Sequence, residues 1–185
     1  MPITTLDSHT ALIVIDLQAG IASRVPEAIF APLLERNQAL LTAFRARGLP
    51  VVLVNVDGMA PGRNEQGPQT APPAGWDRLL PGLDRQPGDI CVTKRTWGAF
   101  TGTGLTERLR ALGVTQVVVT GVATSIGVES TARQAHELGL NVTLVSDAMI
   151  DLTPESHDRS LRLIFPRLGE TGTAQDVIDL LKERA

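Results

Sequence analysis

The chain reads as a three-layer α/β protein, a doubly wound, mainly parallel sheet with helices on both faces. Apolar, β-branched runs of strand length occur at Thr10–Asp16, Pro50–Val56 and Val117–Val119, without the polar alternation of a half-exposed strand. Between them lie segments whose apolar residues recur at helical spacing. Strands alternating with helices build parallel sheets through right-handed crossovers. The length of 185 residues suits a single domain, 1–185, with enough chain to bury a core.

Taken in order, Thr10–Asp16 is the first strand and ends in a carboxylate. Ala31–Arg47 is an amphipathic helix with Leu33, Leu34, Asn37, Leu40, Leu41 and Phe44 on one face. Pro32 suits its first turn, and Gly48 its C-terminus. Pro50–Val56 is the second strand. The Gly/Pro-rich connection from Asp57 to about Pro87 is longer than most, and carries Arg63, Asn64, Glu65, Gln66 and Trp76. It reads either as a variable surface loop, with a helical turn around Asp77–Leu83, or as a substrate-selecting loop.

Asp89–Lys94 is the third strand, and Leu105–Leu112 a short helix ending at Gly113. Gln116–Thr120 is the fourth strand. Gly121 then allows a turn, and Thr124 or Ser125 can cap the next helix, which closes at Gly139. The fifth strand is Asn141–Val145. Thr153 caps a helix over Pro154–Leu168 with Glu155 in its first turn. A short strand around Glu170–Thr171 and a helix over Ala174–Glu183 complete the chain. Asp16 and Lys94 thus end strands of one sheet, and the Gly121–Gly127 turn follows another. All three reach the carboxyl edge, where open α/β sheets bind ligands.

Composition narrows the function. A net charge of −3 supplies no basic surface for nucleic acid or an anionic membrane. No apolar run approaches the roughly 20 residues needed to cross a bilayer. The first ten residues, MPITTLDSHT, lack the layout of a signal peptide. The single cysteine, Cys91, excludes an internal disulfide and points to a reducing cytoplasm. Cys91 itself reads as inert core. The expected partner is a small molecule.

Three stretches together carry a family resemblance. Residues 121–135, GVATSIGVESTARQA, resemble the signature of the isochorismatase-like hydrolases, a superfamily that includes nicotinamidases and N-carbamoylsarcosine amidase. The run ALIVIDLQ around Asp16 resembles that family's first motif. Lys94 followed by Gly98, Ala99 and Phe100 resembles its second, and Ser146-Asp147-Ala148 is a further familiar ending. The resemblance spans Ala11 to about Leu181 and implies the same architecture.

The resemblance implies that Asp16 and Lys94 are catalytic. It also implies that Val122 and Ala123 bind substrate across a cis peptide, beside a backbone oxyanion hole, and that the chain forms a homodimer or homotetramer. Most members carry a nucleophilic cysteine where this chain has Gly127. The chain therefore looks like a cysteine hydrolase without its thiol. True isochorismatases, by resemblance, also have glycine there, and hydrolyse a vinyl ether by delivering a proton to carbon. Asp16 is then the acid. A neighbouring Lys⁺ lowers an Asp pKa, so burial or a dianionic substrate must oppose it. Trp97 and Arg63 are candidate substrate contacts.

A pseudoenzyme and an amide hydrolase using activated water are the alternatives. Nicotinamidases place an Asp and two His after the second strand; here that region, Asp57-Gly58-Met59-Ala60, has no histidine, so no metal is expected. His136 and His157 read as helix-surface residues. No P-loop, GxGxxG or GxSxG motif indicates a cofactor.

Overall fold

The structure, a computed structural model, describes residues 3–65 and 71–183. Gln66 of the long connection lies outside the described residues. Six strands, β1 (Thr10–Ile15), β2 (Val51–Val56), β3 (Ile90–Lys94), β4 (Gln116–Val122), β5 (Asn141–Ile150) and β6 (Glu170–Gly172), form one parallel sheet in the order β3-β2-β1-β4-β5-β6. The chain winds outward from β1 through β2 to β3, then returns to the other side of β1 as β4. This reversal opens a crevice at the carboxyl ends of β1 and β4.

Helices α1 (Ala19–Ala22), α2 (Glu27–Ala46), α3 (Leu105–Ala111), α4 (Glu129–Glu137), α5 (Pro154–Arg159) and α6 (Ala174–Lys182) cover the two faces. All six residues of β1 are buried, and their alternation feeds both layers. Ala11, Ile13 and Ile15 pack with Leu105 and Leu109 of α3 and with Ala132 and Ala135 of α4. Leu12 and Val14 pack with Leu33, Leu40 and Phe44 of α2 and with Val177 and Leu181 of α6. Each such large side chain contributes about 1.5–3 kcal/mol by leaving water.

Helix α2 starts earlier than the sequence suggests. The carbonyl of Pro26 accepts from the amides of Ile29 (2.9 Å) and Phe30 (3.0 Å), so the first turn forms there and Pro32 lies inside the helix. Its end is as expected. Gly48 has φ 64°, Leu49 N–H donates to Phe44 O and Gly48 N–H to Arg45 O, a Schellman closure. The apolar face also holds a buried polar tie. Asn37 Nδ2 donates to Leu33 O (2.9 Å) and Ala148 O (3.1 Å), and its Oδ1 accepts from Thr120 Oγ1 (2.7 Å).

Strands β4 and β5 run beyond their expected ends. Gly121 does not turn the chain. It continues β4 at φ 113°, where a Cβ would collide with the Ile15 carbonyl, so glycine lets β4 lie against β1. β5 passes through Ser146 and Asp147 because both are satisfied. Ser146 Oγ donates to Gly172 O (3.1 Å), and Asp147 Oδ1 accepts from Ala174 N–H at the start of α6 (2.7 Å). After α5, whose first turn Thr153 caps as expected, the helical path changes to a π turn at Ser160–Ile164 and a 3₁₀ turn at Phe165–Arg167.

The later part of the long connection is tied down. The fully buried Gln18 donates from Nε2 to Val56 O (3.0 Å) and Trp76 O (3.1 Å), and accepts from Val56 N–H (2.8 Å). Gly20 N–H donates to Trp76 O, and the indole packs so closely on Gly20 that a Cβ there would collide with it. Leu80 N–H donates to Leu17 O (3.0 Å), and a 3₁₀ turn forms at Pro81–Leu83. Among the described residues, no helix is long and apolar enough to cross a membrane.

Candidate active site

Asp16 follows the last residue of β1, and its backbone is left-handed, with φ 53°. An L-residue adopts that conformation at a cost of roughly 1–2 kcal/mol, and Asp tolerates it better than most. Two backbone bonds hold it: Asp16 N–H donates to Val54 O (2.9 Å), and Asp16 O accepts from Gln18 N–H (2.9 Å). Lys94 is the last residue of β3. Its side chain leans past the end of β2, and Nζ donates to Asp16 Oδ2 at 2.7 Å and to Thr96 O at 3.3 Å. Asp16 is 3% exposed and Lys94 2%.

Burial and the cation act on Asp16 in opposite directions, and burial prevails. It pushes the carboxyl from its ordinary 3.8 up to about 6, against the attraction and hydrogen bond of Lys94. Asp16 Oδ1 is buried without a hydrogen-bond partner among the described residues.

The peptide between Val122 and Ala123 is cis, as the resemblance implies. Residues Thr124–Val128 then form one π turn that leads into α4. Gly127 is buried in this turn beside the ion pair. An ideal Cβ on it would lie 2.9 Å from Ile15 Cγ2, 3.2 Å from Val122 O and 3.3 Å from Asp16 Oδ2. Asp16, Lys94, Val122, Ala123 and Gly127 therefore converge from three strand ends.

Thr124 and Ser125 do not cap the helix. The carbonyl of Ala123 accepts from the amides of Ile126 and Val128 (both 3.1 Å), which draws Thr124 and Ser125 into the turn itself. The acceptor for Ser125 N–H is Asp151 Oδ2, at 2.6 Å from beyond β5, while Asp151 Oδ1 accepts from Leu152 N–H (2.7 Å). Thr124 Oγ1 is fully buried and bonds His157 Nδ1 at 2.8 Å, so His157, half-buried on α5, also supports the turn. Asp151 carried no local signal, because its partner lies 26 residues away.

The Gly98–Phe100 segment is also explained by the turn. Ala99 N–H donates to Thr131 Oγ1 (3.1 Å), whose hydroxyl donates to Gly127 O (2.7 Å), and Phe100 N–H donates to Gln134 Oε1 (3.0 Å). A Cβ on Gly98 would collide with Gln134. Trp97 is 60% exposed, and Arg63 is exposed on the long connection. Asp57 pairs with Arg95 at 3.1 Å. Cys91 lies half-buried on the edge strand β3, not in the core.

A buried acid and a buried ammonium meet a turn that places a glycine beside them, at the switch point of a parallel sheet. The family model for the Isochorismatase domain matches residues 10–176, and the chain belongs to this family of hydrolases. It is 40% identical over 181 residues to the isochorismatase family protein YwoC of Bacillus subtilis, covering 94% of each chain. It is 31% identical over 185 residues to the ureidoacrylate amidohydrolase RutB of Stutzerimonas stutzeri, covering 83% of this chain and 75% of RutB. An isochorismatase family protein from Burkholderia thailandensis superimposes with a TM-score of 0.90 at 41% identity, covering 96% of this chain and 98% of that one.

Proposed function

We propose that the protein hydrolyses a small anionic metabolite through Asp16 and Lys94 without a covalent nucleophile, and that a vinyl ether of the isochorismate type is its substrate. The observation that supports this reading is the buried Asp16–Lys94 pair set against Gly127, a residue with nothing to attack with. A carboxyl raised to about 6 holds its proton in a useful fraction of molecules near neutral pH, which a general acid requires. Asp16 transfers that proton to the vinyl carbon, an oxocarbenium ion forms, and water adds to it. The hemiketal then collapses to pyruvate and an alcohol. Lys94 balances the carboxylate left behind and attracts a substrate carboxylate. Val122 and Ala123 line the reacting group, and Trp97 and Arg63 meet the remainder.

A second reading, amide hydrolysis by activated water, is favoured by the relation to RutB, named an amidohydrolase. In that chemistry Asp16 is a base. A binding protein without catalysis is disfavoured, because a buried ion pair is costly to keep. The test is pyruvate release from isochorismate by the purified protein beside Asp16→Asn. Turnover that disappears in the variant supports vinyl-ether hydrolysis with Asp16 as acid. No pyruvate from folded protein rejects it.

A further inference from the structure

We infer that a cavity behind the catalytic turn is a second binding site, for an α-amino acid with a branched apolar side chain. The cavity holds about 290 Å³. One wall is the link between α1 and α2, with Arg24, Val25 and Ile29; the other is the end of β5 and the start of α5. Asp16, Lys94 and Gly127 do not line it. Ile29 is 54% exposed and Leu152 67%. Both line this one cavity, and large apolar side chains grouped round a hollow mark a binding surface where scattered ones do not.

The polar groups of the wall select the ligand. Arg24 and Asp158 both line the cavity, and neither side chain has an ion-pair partner among the described residues. His157 adds a directed donor. The buried Thr124 hydroxyl bonds Nδ1 at 2.8 Å and has no other partner among the described residues. Its proton therefore goes to Nδ1, and the neutral ring carries its own hydrogen on Nε2. Asp151 lines the cavity too, but its oxygens already accept from Ser125 and Leu152 N–H. An anion alone would meet Arg24 and His157 and leave Asp158 unanswered. A cation alone would leave Arg24. A zwitterion answers both: its carboxylate takes Arg24 and the Nε2 hydrogen, and its ammonium takes Asp158. A branched side chain then lies against Val25, Ile29 and Leu152.

The same wall also holds the catalytic turn. Asp151 Oδ2 accepts from Ser125 N–H (2.6 Å), His157 bonds Thr124, and Ile150 is in register with Val122 beside the cis peptide. A molecule seated on this wall fixes the turn that carries Gly127 without entering the crevice of Asp16 and Lys94. The site is independent of which substrate that crevice takes.

The experiment is calorimetric titration of the purified protein with L-leucine, isocaproate (no amine), isoamylamine (no carboxylate) and glycine (no apolar body). Leucine should bind with a Kd below about 1 mM, and the other three at least about tenfold more weakly. Arg24→Ala and Asp158→Asn, both at exposed positions, should each weaken leucine about tenfold. With leucine at about ten times Kd, the Ser125 amide should exchange its hydrogen ~10-fold more slowly, because opening of the turn is then linked to release. No binding of leucine at millimolar concentration overturns the site, as does a groove closed by a second copy, seen as a dimer that Leu152→Asp splits and leucine does not. Isocaproate or isoamylamine as tight as leucine overturns the amino-acid class. Unchanged Ser125 exchange with leucine bound overturns the link to the turn.

Discussion

Asp16 meets two opposing influences, and their balance fixes the sign of its pH dependence. Burial raises the carboxyl to about 6, and Lys94 pulls the other way. If Asp16 delivers a proton, kcat/KM is highest at low pH and falls as pH rises through about 6. If it works as a base on water, kcat/KM rises through the same value, so one profile separates the two readings. Lys94→Met removes the charge that favours the carboxylate. Its kcat/KM limb should move upward in pH, and a limb that stays in place would show that Lys94 does not tune the acid. Only part of this was legible in the sequence. An acid at the end of an apolar run marks Asp16, but nothing in the residue types shows a left-handed backbone at a non-glycine, or which of burial and charge prevails.

The π turn after β4 depends on groups that the local sequence does not contain. Ser125 N–H, which a side-chain cap would ordinarily satisfy, relies on Asp151, and Thr124 relies on His157. Asp151 is a positioning residue, since it acts on Gly127 through the turn. Asp151→Ala should cost about 1–2 kcal/mol of stability, as loss of a cap does, measured by urea unfolding. It should lower kcat while leaving the Asp16 limb of the pH profile in place. Recovery by Asp151→Asn, which keeps an acceptor oxygen, is the companion result, and an unchanged kcat in Asp151→Ala would remove the positioning role. The elements were easier to read than their ends. The strands of buried Val, Leu and Ile were visible from their runs. The extensions of β4 through Gly121 and β5 through Asp147 were not, because glycine and aspartate there answer to Ile15 and Ala174, distant neighbours that no local pattern reveals.

For the whole molecule, the Asp16 shift links the site to stability. A carboxyl that titrates near 6 when folded and near 3.8 when unfolded binds its proton more tightly in the native state. That stabilisation is complete below pH 3.8 and is lost as pH rises through about 6, by on the order of 3 kcal/mol. Urea midpoints at about pH 4 and about pH 7 measure it, with Asp16→Asn as the variant that cannot titrate. The difference between wild type and variant should change across this window. A constant difference would mean that Asp16 keeps an ordinary pKa. The parallel architecture was legible because β1 is apolar on both faces, as its alternate packing against α2 and α3 requires. The course of the long connection was not, since Gln18, one polar residue just past a strand, fixes Trp76 at a distance.

The strand order has a consequence for biosynthesis. β1 is made first of the six strands yet occupies the middle of the sheet, with β2 on one side and β4 on the other. A nascent chain that has paired β1, β2 and β3 still presents the β4 side of β1 as an open, apolar edge. It waits there through the translation of residues 95–115, which include α3. Such edges invite association with other chains, and non-local parallel pairings form slowly. The interval before β4 arrives is when this protein most needs shielding on the ribosome. Because Gly127 follows β4, hydrolytic activity itself reports that the interval has closed.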